Sequence, residues 1–179
     1  MTQEKLIMES LKPYLPKVKE WIDNLLRQNS SLARPLSSFQ FQRLPKYFSQ
    51  NIIDNTKIII MNKMPKIPLA DMGLSGFGNF ENLDAIGVVY LDAIFIRVDY
   101  QREEWVYFHE LIHILQWQAF SYDDFLLAYG LGLYQYQNDY SKSPFEAMAY
   151  KNQDIFQKDN VPFDVEWTLK PQIAAYKTF

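Results

Sequence analysis

Apolar side chains recur at helical spacing along residues 5–28, and two prolines interrupt the pattern. Pro13 and Pro16 predict a short helix that ends near Lys12 and a second helix that has Pro16 in its first turn. Such a stripe could face a partner or a membrane. Packing on the protein core is favoured, because surface helices of globular proteins have this pattern. The stripe comprises Leu6, Ile7, Leu11, Tyr14, Leu15, Val18, Trp21, Ile22 and Leu25.

Three runs of β-branched and aromatic residues predict strands. Lys57–Met61 (KIIIM) is typical of a buried strand. Residues 85–90 and 93–98 predict two more strands, with Leu91 and Asp92 as the turn between them. A short helix is expected after Pro45.

The second half of the chain predicts three helices, at about 101–119, 122–137 and 144–157. Residues 63–84 are rich in proline and glycine and predict a loop. The glycines at 73–78 could cradle a phosphate, but their spacing matches neither the dinucleotide nor the P-loop pattern, so a plain loop is favoured. Helices segregated from a few strands indicate an α+β fold that is mainly helical.

Composition narrows the class of protein. A length of 179 residues fits one domain, with a helical region at about 1–50 and a core at about 56–157. A net charge of −3 without a basic cluster argues against nucleic acid or an anionic membrane as the main partner. Residues 1–14 lack the apolar stretch of a signal peptide, so we expect a cytoplasmic protein, and we expect a monomer.

The chain has no cysteine, which excludes disulfides, thiol catalysis and cysteine zinc sites. It has only two histidines, His109 and His113, with Glu110 directly after the first. Residues four apart share one face of a helix, so both imidazoles can bind one metal ion. This is the H-E-x-x-H pattern of zinc peptidases, and it predicts a zinc site. The alternative is a pair of structural histidines in a core helix.

A catalytic zinc site usually has three protein ligands, and no third histidine exists. The third ligand must then be a carboxylate from a later helix, and Glu146 is the best placed. Alternatively, Glu146 could close a capping box with Ser143 as the N-cap residue and Pro144 at the first helical position. Asp123 and Asp124 fit first-turn charges of their own helix better. The downstream acids are Asp123, Asp124, Asp139, Glu146, Asp154, Asp159, Asp164 and Glu166.

Three segments carry a resemblance to a group of small bacterial zincin-like proteins: HELIHILQ at 109–116, FLLAY at 125–129 and SPFEAMAY at 143–150. That group has a helical H-E-L-x-H-x-x-Q and a later P-x-E-x-x-A-Y. The resemblance covers roughly residues 85–157. It implies a zincin core, gluzincin-like in its ligands, with a small mixed sheet packed on the metal helix.

The resemblance implies zinc ligands at His109, His113 and Glu146, and a catalytic role for Glu110. One departure concerns Tyr150. Well-studied enzymes with a downstream glutamate ligand often have an aspartate at this position, where it orients a histidine. The resemblance says little about substrate.

The expected function is a zinc-dependent hydrolase that cleaves a peptide or protein substrate, with Glu110 as the general base. Tyr150 is the candidate donor to the developing oxyanion, and Tyr140 is a second candidate. The strand at Ile94–Val98 could be the sheet edge that pairs with an extended peptide. Two alternatives remain open: a zincin-fold metal-binding or interaction protein without turnover, and a metal-free structural domain.

Overall fold

The computed structural model describes residues 2–136, 139–158 and 161–177. It has an α+β fold that is mainly helical, as the sequence predicts, with one four-stranded mixed sheet. The helices are α1 (Gln3–Leu11), α2 (Leu15–Gln28), α3 (Gln50–Asn55), α4 (Gly78–Glu81), α5 (Glu104–Ala119), α6 (Tyr122–Gln135), α7 (Pro144–Gln157) and α8 (Val165–Ala174). The strands are β1 (Arg34–Pro35), β2 (Lys57–Met61), β3 (Gly87–Tyr90) and β4 (Ala93–Arg97).

The sheet has the strand order β1-β2-β4-β3. Strand β4 pairs in parallel with β2, where Phe95 lies opposite Ile59, and antiparallel with β3, where Phe95 lies opposite Val88. The prediction that Ile94–Val98 forms an edge is therefore wrong. Residues 93–96 are buried because the strand is central, and β3 is the edge strand on that side. A run of apolar residues predicts a strand but not its position in the sheet.

Most predicted elements are confirmed at their predicted positions. Strand β2 and helix α7 have the predicted bounds, and Pro16 lies in the first turn of α2. Helix α5 begins at Glu104, three residues later than predicted, because the backbone of Glu103 is extended and not helical. Residue 137, the predicted end of the next helix, lies outside the described residues. The sequence did not predict α8, which contains Pro171, or β1, which lies in the region expected to be helical.

Helix α5 is the centre of the fold, and its residues 106–117 are all buried. A helix that is apolar around most of its circumference needs neighbours on every side. Phe108 stacks on Phe156 of α7 with the ring centroids 4.4 Å apart, and Trp117 contacts Phe125 of α6 at 3.9 Å. Strands β3 and β4 pack on the remaining side. In the described part of the chain, no helix is both long enough and apolar enough to cross a bilayer.

Candidate metal centre

His109 and His113 lie one turn apart on α5, and α7 brings Glu146 to the same point. The two Nε2 atoms are 3.2 Å apart. Glu146 Oε2 lies 3.5 Å from Nε2 of His109, and Oε1 lies 3.3 Å from Nε2 of His113. A tetrahedral ion with bonds of 2.0–2.1 Å separates its ligand atoms by about 3.3 Å. The three side chains are buried, and they could hold a metal ion.

Two glutamines orient the histidine rings. Oε1 of Gln153 lies 2.9 Å from Nδ1 of His109, and Oε1 of Gln116 lies 2.7 Å from Nδ1 of His113. An amide oxygen only accepts, so each Nδ1 carries a proton and each Nε2 faces the centre, where its lone pair can bind a metal ion once any proton on it is lost. The amide of Gln116 is itself held, because its nitrogen donates to the carbonyl of Phe145 at 3.0 Å. The rings therefore point at the centre before any ion binds.

Gln153 belongs to the candidate centre, and the sequence reasoning missed it. A signal was present: Gln153 lies seven residues after Glu146, which is two turns along the same face of α7. By comparison with well-studied enzymes, the residue that orients a histidine ring was expected at position 150. The structure supplies it three residues later, and as a neutral amide instead of a carboxylate.

The capping-box alternative for Glu146 is wrong. Among the described residues, Oγ of Ser143 has no hydrogen-bond partner, and its side chain makes no cap. The amide of Ser143 donates to the carbonyl of Tyr140. The Glu146 carboxylate instead accepts from the hydroxyl of Tyr129 at 2.8 Å and that of Tyr140 at 2.6 Å. Glu146 is thus oriented toward the histidines.

The buried charges at the centre shift each other's pKa. Burial favours the neutral carboxyl of Glu146, but His113 and His109 outweigh it and hold that pKa well below its usual range. Burial likewise favours the neutral ring of His113, yet the Glu146 carboxylate raises its pKa to about 9. Without metal, the centre therefore contains an ion pair between His113 and Glu146.

Glu110 is buried beside the centre and faces β3 at Gly87. Burial raises its pKa, and Glu146 adds to this effect, while the two histidines oppose it. A carboxylate whose pKa is raised toward neutrality is better suited to accept a proton from water.

The tyrosines considered for the oxyanion differ in their surroundings. Tyr150 is 40% exposed, and its ring packs edge-on against the ring of His109 with centroids 4.6 Å apart. Burial and the nearby Glu146 raise the pKa of Tyr150 to about 12, so its hydroxyl remains a donor at neutral pH. The hydroxyl of Tyr140 is instead engaged with Glu146. The role of Tyr150 stays a prediction.

Of the other downstream acids, those that the structure describes do not join the cluster. Asp123 pairs with Lys19, and Asp124 accepts from the hydroxyl of Ser121 at the start of α6, as first-turn residues do. Asp159 lies outside the described residues.

Comparison of the chain with models of protein families, with curated proteins and with solved structures finds no match in any of the three. The functional interpretation therefore depends on the buried group of His109, His113 and Glu146 and on the residues around it.

Proposed function

We propose that the protein is a zinc-dependent hydrolase of zincin-like fold, a peptidase, with His109, His113 and Glu146 as the zinc ligands. The observation that carries the proposal is the spacing of their ligand atoms, 3.2–3.5 Å, on rings whose Nδ1 atoms are already engaged. Two imidazoles and a carboxylate, with a fourth position left for water, are a donor set that suits catalytic zinc.

Zinc bound at this centre would activate water and polarise a carbonyl. Glu110 would take the proton of the attacking water and pass it to the leaving amine. Its place directly after a ligand and its raised pKa both support this role. Tyr150, half-exposed against His109, is the proposed donor to the oxyanion.

The edge strand β3 would hold the peptide backbone. In the described part of the chain, β3 pairs with β4 only, and Gly87 at its start faces Glu110. An extended peptide can add to such an edge through main-chain hydrogen bonds. This assignment replaces the earlier expectation for residues 94–98.

A second candidate is a zincin-fold metal-binding or interaction protein without turnover. The observation in its favour is the partner of His109. Gln153 is a neutral amide, and it orients the ring without raising its basicity as a carboxylate would. The buried Glu110 argues for turnover, because binding alone needs no base. If the protein binds no metal, the cluster would be a structural ion pair only.

Metal analysis and a peptide-library digest separate these functions. We expect about one zinc per chain after equilibration with zinc and dialysis, and loss of that zinc in His113→Ala. Protein without bound metal would contradict both metal-dependent functions.

In the digest, wild type should cleave peptides and Glu110→Gln should retain zinc without cleaving. Glu103→Gln, an exposed position seven residues earlier at the N-cap of α5, is the matched control and should cleave as wild type.

A further inference from the structure

A cavity of about 370 Å³ adjoins the candidate metal centre. His109, Glu110 and Glu146 lie in its wall, and β3 and α6 form much of the rest. The volume equals that of about twelve water molecules in the liquid. The space therefore exceeds what water bound at the metal would need.

The other side of the cavity is built from parts of the chain far from the metal-binding sequence. Helices α1 and α2 contribute Leu11, Leu15 and Val18. The segment between β2 and β3 contributes Ile67, Leu69 and Phe77. These residues surround the space with aliphatic and aromatic carbon.

Charge is scarce in the cavity away from the metal centre. Among the described lining residues, only Lys66 and Asp84 are charged there. Nζ of Lys66 donates to the carbonyl of Glu81 at 2.9 Å. Asp84 is 92% exposed at its side chain and pairs with Arg97. A charged group in the interior of the cavity would lose its water without gaining a strong partner.

We propose that this cavity binds a bulky apolar side chain next to the scissile bond, so that the substrates are peptides with an aromatic or long aliphatic residue at that position. The inference rests on the proposed hydrolase function. The polar groups on one wall would hold the amide bond beside a bound metal ion, and the apolar volume next to them would receive the adjacent side chain. Each buried methylene strengthens binding about fourfold.

The test uses ligands that need the metal but not turnover. The hydroxamates of N-acetylphenylalanine and N-acetylalanine are titrated calorimetrically into protein whose zinc content has been measured. We expect the phenylalanine compound to bind at least about tenfold more tightly. Equal affinities, or tighter binding of the alanine compound, would overturn the inference while leaving the zinc site intact.

Two variants test whether the preference for the phenylalanine compound arises in this cavity. Leu126→Trp on α6 fills the cavity and should reduce the affinity ratio to about threefold or less. Leu6→Trp on α1, which is 51% exposed and outside the cavity, should keep the wild-type ratio. An unchanged ratio in folded Leu126→Trp would place the apolar group elsewhere. Leu15→Trp, in the opposite wall, makes the same test if Leu126→Trp does not fold.

A measurement without metal separates this inference from the proposed function. If the protein binds no zinc, neither hydroxamate should bind, and the proposed hydrolase function is contradicted. The cavity is then tested with N-phenyl-1-naphthylamine, a neutral apolar fluorophore. Saturable binding that Leu126→Trp abolishes supports an apolar binding site. Absence of binding to the wild type overturns it.

Discussion

Gly87 on the edge strand and Glu110 on the central helix lie so close that no side chain fits between them. A Cβ atom at position 87 would lie 2.8 Å from Cδ and 3.0 Å from Cγ of Glu110. Real Cβ contacts are longer, so one group would have to move. The end of the Glu110 side chain can move more easily than the two backbones.

Gly87→Ala should therefore displace the proposed base while the metal site survives. We expect hydrolysis to fall at least tenfold, toward the 10²–10⁴-fold that a general base contributes, with zinc content unchanged. Gly76→Ala is the control, because a Cβ there meets nothing within 4 Å. Peptide cleavage and metal analysis on both variants make the comparison. A wild-type rate in Gly87→Ala would remove the contact from the mechanism.

The amides of Gln153 and Gln116 should set metal affinity. Gln153→Leu or Gln116→Leu leaves an Nδ1–H without its acceptor, and the ring loses its fixed orientation. We expect zinc affinity to fall by about 10–100-fold in each variant, measured by competition with a chelator. Gln172→Leu on the exposed face of α8 should bind zinc as wild type. Unchanged affinity in both buried variants would show that helix packing alone orients the rings.

The two tyrosines that donate to Glu146 should stabilise the metal-free protein. Tyr129→Phe and Tyr140→Phe each remove one hydrogen bond to a buried carboxylate. The free energy of unfolding should fall by about 1–3 kcal/mol in each, measured by denaturant titration. Tyr134→Phe, at a position that is 42% exposed, should change it little. Equal stability of all three variants would contradict the proposed role of the hydroxyls.

Ser143 and Ser121 should respond differently to the same substitution. Oγ of Ser121 accepts from the amide of Asp124 and caps α6, so Ser121→Ala should cost about 1 kcal/mol of stability. Oγ of Ser143 is buried and has no hydrogen-bond partner in the part of the chain that the structure describes, so Ser143→Ala should cost less than about 0.5 kcal/mol or stabilise the protein. Thermal unfolding of the pair measures the difference. A loss at Ser143 as large as at Ser121 would restore the capping interpretation.

Metal affinity should increase with pH up to about 9. The raised pKa of His113, about 9 in the metal-free protein, means that a metal ion must displace a proton below that pH. Affinity should rise about tenfold per pH unit from 7 to 9 and level off above. Chelator competition across this range measures it, and calorimetry in buffers of different ionisation enthalpy counts the proton released. A flat profile between pH 7 and 9 would contradict the ion pair.

Local sequence patterns were sufficient for most of the elements and for the two histidines of the site. The spacing of His109 and His113 places both rings on one face of any helix, whatever surrounds it. Pro144 after Ser143 marks the start of α7 correctly, because proline fits the first helical turn. These inferences depend only on residues within one or two helical turns of each other.

Tertiary structure decided what no local pattern could. Glu146 could serve as a cap or as a ligand, and the packing of α7 on α5 brings its carboxylate to the histidines and to two tyrosines. The same packing makes Gln153, and not residue 150, the partner of His109. Strand order likewise made β3 the edge and put Gly87 against Glu110. The sequence by itself determined which groups could bind a metal. The packing of α5 against α7 and the sheet decided which of those groups meet. The physical reason is that buried polar groups pair with the partners that packing places within hydrogen-bond distance.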